Sequence, residues 1–227
     1  MTPPLDRLES ALQAAVGRLT GDGCPPRLAA AITDAVFPAG NRLRPRLAYA
    51  VADAIGERDP RITDAAAVAL ELLHCASLVQ DDLPAFDDAT ERRGRPALHI
   101  RHGEPLTVLA ADALIIGAFD SVAAVAALEP PQARALTSVI ARGSGAPHGA
   151  VAGQAWESED EIDLARYHRA KTAALFEAAT VAGAVAAGSD GAAWRDVGTW
   201  LGRAYQVADD IADAHDPPSQ GSDLALG

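Results

Sequence analysis

The stretch LVQDDLPAFDD, residues 78–88, sets four aspartates beside Leu78, Val79, Leu83 and Phe86. Carboxylates that dense repel one another, so either water solvates them as a loop or cations hold them together. Their surroundings bear on the choice. Upstream, ELLHCASLVQ (71–80) is an apolar helical run that ends at Asp81 and Asp82. Pro84 interrupts it, which lets Asp87 and Asp88 return toward the same mouth. A second acidic stretch, YQVADDIADAHD at 205–216, makes a mere solvated loop harder to accept. There Asp209 and Asp213 are four apart and share one helical face, flanked by Asp210.

Carboxylates without His or Cys partners are hard-oxygen sites and suit Mg²⁺, which keeps several waters and commonly bridges to substrate phosphates. Phosphate is therefore the expected missing ligand. Cations to meet it follow directly in DDATERRGRPALH (87–99), where Arg92 and Arg93 lie just beyond the carboxylates, and again in NRLRPR (41–46). Guanidinium forks grip phosphate oxygens with paired hydrogen bonds, so Arg44 and Arg93 can hold one diphosphate without metal, and metal with Arg92 a second. Lys171, beside the Thr172 hydroxyl in HRAKTAALF (168–176), adds a compact charge.

The rest of the chain reads as helix. Leu5, Leu8 and Leu12 begin a periodic stretch, and Ala-rich segments recur through 47–56, 64–80, 105–128, 162–187 and 192–214, with almost no strand signal. Breaks fall at GDGCPP (21–26), FPAGN (37–41), ERDP (57–60), LPAF (83–86), RRGRP (92–96), EPP (129–131) and GSGAPHG (143–149). No linker or fixed-period repeat divides the 227 residues, so a single all-α domain over 1–227 is expected. A net charge of −12 argues against a nucleic-acid or anionic-membrane binder. Cys24 and Cys75 read as reduced thiols of a cytoplasmic protein. The start, MTPPLDRLESALQ, lacks a signal-peptide pattern, and no transmembrane segment is expected.

Five motifs, in order, resemble those of the trans-prenyl diphosphate synthases, closest in style to the bacterial geranylgeranyl and farnesyl diphosphate synthases. DDLPAFD followed by RRG is similar to their first aspartate-rich region, DDxxxxD, and YQVADDIAD to their second, FQxxDDxxD. GNRLRP resembles GKRxRP, GQAWESE resembles GQxxD, and HRAKTAALF resembles KTxxL. The resemblance implies an all-α isoprenoid-synthase bundle around a central cavity, usually dimeric. Because the chain stops at HDPPSQGSDLALG with no lysine after Asp213, the bundle is expected to lack the family's usual C-terminal helices.

The resemblance also implies roles. Asp81, Asp82, Asp87 and Asp209, completed by Asp213, match the Mg²⁺-binding positions, with three ions expected once diphosphate is bound. Arg92 and Lys171, with Thr172 beside it, match contacts to the allylic prenyl diphosphate, and Gln206 a polar residue beside the reacting groups. Arg44, His74 and Arg93 match the pocket for isopentenyl diphosphate. The implied activity is Mg²⁺-dependent head-to-tail condensation of these two substrates. Ala76 and Ser77, five and four residues before Asp81, match positions that set product length, and a small residue at Ala76 favours C20 over C15.

Three positions depart from the pattern: Asn41 replaces a lysine, Gln80 a frequent histidine, and Glu157 stands near the usual aspartate of the GQ segment. Asn41 and the early ending support a second reading, a weak or inactive homologue that binds prenyl diphosphate or regulates an active synthase. A class I terpene cyclase is a third, disfavoured by the second aspartate motif. His99, His102, His148, His168 and His215 lack metal-ligand spacing, Trp156, Trp194 and Trp200 read as packing residues, and GSGAPHGAVAGQ as a helix-start connector near the cavity.

Overall fold

A computed structural model describes residues 4–37 and 40–215; the side chains of Pro4, Asp209, Asp210 and residues 212–215 fall outside that description. Helices dominate: α1 (Pro4–Leu19), α2 (Pro26–Val36), α3 (Leu43–Ile55), α4 (Pro60–Asp81), α5 (Leu98–His102), α6 (Glu104–Ala123), α7 (Pro130–Ser144), α8 (Ala150–Ala155), α9 (Leu164–His168), α10 (Ala174–Ala186) and α11 (Arg195–His215). Proline stands in the first turn of α2, α4, α6 and α7, where its missing N–H leaves no helical bond unmade. At α4 the Asp59 carboxylate also caps the helix by accepting from the Arg61 N–H at 3.0 Å.

The all-α expectation holds, and the details show where periodicity falls short. Helices α2 and α7 lie outside the Ala-rich segments, between the turn signals that bound them. The long segment 162–187 divides into α9, a π-helical turn (Arg169–Ala173) and α10. The break at RRGRP is a small hairpin, β1 (Glu91–Arg92) pairing antiparallel with β2 (Arg95–Pro96), Glu91 opposite Pro96. Arg93 (φ 54°) and Gly94 (φ 73°) make its turn, the left-handed pair that a two-residue hairpin requires. Whether C-terminal helices are lacking falls on residues 216–227, outside the described part.

Helix α4 is the axle. Ala65 to Ala67, Ala69, Leu70, Leu72, Leu73 and Ala76 are buried around its circumference, and α3, α6 and α10 pack along it. A helix apolar all round must be enclosed on every side, and the alanines let its neighbours approach closely. Each fully buried leucine contributes about 1.5–3 kcal/mol over an exposed one. By length and composition α4 and α6 could each cross a membrane; the most apolar window of α4 is 78% buried inside the fold and that of α6 is 44%. The enclosed axle delivers Asp81 and Asp82 at its end to a large cavity.

Candidate active site

The six-residue spacing of Asp81 and Asp87 is explained by how α4 ends. After Asp82 the chain turns through Leu83–Phe86, and the Asp87 N–H donates to the Asp81 carbonyl at 3.0 Å. Asp88, at φ 49°, donates to the Leu83 carbonyl at 3.1 Å. The loop thus folds Asp87 back beside Asp81. Carboxylate oxygens of Asp81, Asp87 and Glu157 lie within 4.8 Å of one another, a spacing that would fit a hard divalent cation.

Asp82, expected beside Asp81 as a metal ligand, is placed differently. It is buried, and its Oδ1 accepts from Arg92 Nε at 2.8 Å and Nη2 at 2.5 Å, while Arg92 Nη2 lies 3.5 Å from Asp81 Oδ2. Burial works against the charge of Arg92, but its hydrogen bonds to Asp82 and the nearby carboxylates outweigh burial, so its pKa is raised. Asp81, not Asp82, lines the cavity. The adjacent aspartates thus differ in place: Asp81 faces the cavity, and Asp82 accepts hydrogen bonds from the arginine beside it.

A second group in the cavity lining, Arg44, His74 and Arg93, carries no carboxylate. Arg44 is buried, its guanidinium 4.9 Å from the centre of the Phe176 ring, and its Nη1 donates to His74 Nε2 at 3.2 Å. A guanidinium has no acceptor, so the His74 nitrogen facing it carries no proton. Burial, then repulsion from Arg44, Arg93, Arg92 and Arg42, hold the His74 pKa well below its ordinary value and keep the ring neutral. Arg93, thrown outward by its left-handed backbone, lies against Gly40, where any β-carbon would collide with the guanidinium. A side chain at position 40 would therefore displace the Arg93 guanidinium from where it lies. Behind the loop, the side chain of Arg42 is fully buried on Glu71 (2.7 Å), Glu9 (2.8 Å) and the Val36 carbonyl (3.1 Å). It anchors the segment that presents Asn41 and Arg44, which both line the cavity.

The third wall is the π turn. Gly153 of α8 sits so close to the backbone of Lys171 that a side chain there would overlap it. Lys171 Nζ donates to Glu157 Oε1 at 2.6 Å and lies 3.7 Å from Asp81 Oδ1. Thr172 donates to Gln206 Oε1 at 2.5 Å, both residues buried, which ties α11 to this wall. One turn farther along α11 come Asp209 and then Asp213; the expectations for their carboxylates lie outside the described side chains.

The cavity has a volume of about 1230 Å³. Charged groups ring its mouth, while Leu73, Ala76, Ile115, Phe119, Ala141 and Leu175 give it apolar walls. Ala76 and Ser77 both line it, the Ser77 hydroxyl donating to the His74 carbonyl at 2.9 Å. The 143–154 connector also borders it through Ser144, Gly145, Ala150, Val151 and Gln154. Sequence reading placed Glu157 as a departure from the aspartate pattern without seeing that it joins Asp81 and Asp87; its position in the GQ segment was the available signal. Trp200 corrects the packing expectation: it is 65% exposed, on the outer face of α11 with Val207 and Ile211.

Known proteins resemble this chain along most of its length. The polyprenyl synthetase family model matches residues 25–225. A geranylgeranyl diphosphate synthase of Rhodobacter capsulatus is 54% identical over 208 residues, covering 92% of this chain and 72% of that protein. A farnesyl diphosphate synthase of Geobacillus stearothermophilus is 35% identical over 217 residues, covering 91% and 71%. Among solved structures, an FPP/GFPP synthase from Zymomonas mobilis superposes with a TM-score of 0.81 at 28% identity, covering 99% of this chain and 86% of that one. An all-α bundle with a carboxylate-rich mouth over an apolar cavity defines an isoprenoid-synthase fold. The chain belongs to the polyprenyl synthetase family.

Proposed function

We propose that the protein is a prenyltransferase that joins isopentenyl diphosphate to an allylic prenyl diphosphate head to tail, with geranylgeranyl diphosphate, C20, as its product. The observation that carries this is the union of a charged mouth, Asp81, Asp87, Arg92 and Lys171, with an apolar cavity of about 1230 Å³ behind it. The similarity to a geranylgeranyl diphosphate synthase supports the same reading.

Asp81 and Asp87 would hold Mg²⁺, with Asp209 and Asp213 assigned to the same task and three ions expected with diphosphate bound. The oxygen-only donor set fits that ion. Mg²⁺, when bound, neutralises charge that grows on the departing pyrophosphate. Arg92 and Lys171, with Thr172 and Gln206 beside them, orient the allylic diphosphate. Asp82 acts through Arg92, holding its fork in place. Arg44, His74 and Arg93 hold isopentenyl diphosphate, with neutral His74 aligning Arg44.

The allylic carbon–oxygen bond breaks, and its electron pair leaves with pyrophosphate. The double bond of isopentenyl diphosphate then supplies the pair for the new carbon–carbon bond, and a proton passes to the released pyrophosphate. Apolar walls exclude water that would otherwise consume the cationic centre.

We also assign a single domain over 1–227, a homodimer supported by the exposed Val108, Leu109 and Ile116 of the strongly apolar α6, and a cytoplasmic location consistent with two free thiols. The test is turnover of labelled isopentenyl diphosphate with each of three allylic primers and Mg²⁺, and chromatography of the products. A C20 diphosphate is expected; absence of any product from folded protein overturns the proposal. Ala76→Phe is expected to shift the main product from C20 to C15, because the ring projects from a position that is 1% exposed and borders the cavity. An unchanged product spectrum would remove Ala76 from length control.

A further inference from the structure

Glu157 sits within 4.8 Å of Asp81 and Asp87 and is on that ground a candidate third metal ligand. Its hydrogen bonds give it another role. Oε2 accepts from Gln154 Nε2 at 2.5 Å, and Oε1 accepts from the Tyr167 hydroxyl at 2.7 Å and from Lys171 Nζ at 2.6 Å. Three donors from α8, α9 and the π turn thus converge on one carboxylate, which has about four acceptor positions in all. Lys171 lies much closer to Glu157 than to Asp81, 2.6 Å against 3.7 Å. The Tyr167 ring stands 5.7 Å from the same ammonium and narrows its freedom further.

We infer that Glu157 is a positioning residue for Lys171, fixing the ammonium on the third wall so that it meets a diphosphate in place instead of collapsing onto Asp81. The inference rests on the proposed function for the identity of the ligand. In this arrangement Glu157 serves the anion through Lys171, and Asp81 and Asp87 are left to serve the metal. It also gives the longer side chain a reason: in this geometry glutamate spans from the GQ segment to the lysine, and an aspartate would fall one methylene short.

The test is calorimetric binding of magnesium pyrophosphate, and separately of Mg²⁺ alone, to the full chain. Glu157→Gln is expected to weaken magnesium pyrophosphate binding about tenfold, the effect of losing one charge-assisted contact. Mg²⁺ binding alone is expected to stay unchanged, and Glu157→Asp to recover part of the loss. In a Lys171→Ala background, Glu157→Gln is expected to add nothing, since the two residues act as one unit.

Weakened Mg²⁺ binding in Glu157→Gln would make it a ligand and overturn the inference. So would a full additional loss in the Lys171→Ala background, or no loss at all. Should Glu157→Gln fail to fold, Tyr167→Phe keeps the charge and is expected to weaken binding by a factor of about two to three, within the range of one neutral hydrogen bond. An unchanged affinity there would overturn the inference as well. Failure of the unsubstituted chain to bind magnesium pyrophosphate is a separate outcome: it removes the proposed function, and the inference with it.

Discussion

On one side of the cavity mouth, Asp81 and Asp87 stand with Arg92 and Lys171; on the other, Arg44 and Arg93 stand with a neutral histidine and no carboxylate lines the pocket beside them among the described residues. The first side mixes signs and so invites a metal between its carboxylates and an anion. The second can meet an anion directly. In the proposed reaction only one of the two diphosphates must leave. On that proposal the difference assigns the leaving diphosphate to the group that could also hold a metal, and the retained one to the group of fixed hydrogen-bond donors.

This contrast predicts different kinetic damage. Asp81→Asn removes charge from the metal side, and kcat is expected to fall on the order of 10³-fold, as for loss of a group that acts on developing charge, with the KM for isopentenyl diphosphate little changed. Steady-state kinetics at saturating Mg²⁺ checks this. Arg44→Gln acts on the other side. The KM for isopentenyl diphosphate is expected to rise about ten- to a hundred-fold, with kcat largely kept. If both variants lowered kcat alone, the division of labour would be wrong.

The sequence carried much of this and failed in a consistent way. Motifs whose meaning lies in local spacing were legible: Asp81, Asp87, Arg92 and Lys171 meet at one mouth, although Asp88 does not return with them and lies exposed beside His99. The functional difference between Asp81 and Asp82 was not, because it depends on Arg92 returning ten residues later through a hairpin. Glu157 was noticed as a substitution, but its donors Gln154, Tyr167 and Lys171 come from three elements and meet only in the fold. The packing of Arg93 against Gly40 likewise joins residues that are far apart in the chain. Alanine enrichment marked the axle α4, whereas α2 and α7 lie outside the Ala-rich segments.

Asn41 sharpens the comparison from the basic side. It is exposed at the cavity wall near the Gly40–Arg93 contact and adds no charge. Asn41→Lys is expected to lower the KM for isopentenyl diphosphate by up to about tenfold, less than the loss from Arg44→Gln because the new ammonium stays partly in water. The KM for the allylic primer is expected to stay put. A change in both would mean that position 41 acts on the whole mouth, and the two sides would not be separable there.

The smallest effect falls on stability and tests whether His74 is neutral, as its place beside Arg44 requires. Burial first, and then the surrounding arginines, depress its pKa in the folded protein, while the unfolded chain takes up a proton near the ordinary 6.5. The unfolded state therefore binds more protons below that pH, so stability from this residue is full above about 6.5 and is lost as pH falls toward the folded value. The slope is at most about 1.4 kcal/mol per pH unit for one proton. His74→Gln cannot titrate, so the difference in unfolding free energy between variant and parent is expected to move in the variant's favour as pH falls below about 6.5. Denaturant unfolding across that range measures it. A difference independent of pH would mean that His74 titrates alike in both states, and the basic side would then gain a cation on acidification that its present geometry denies it.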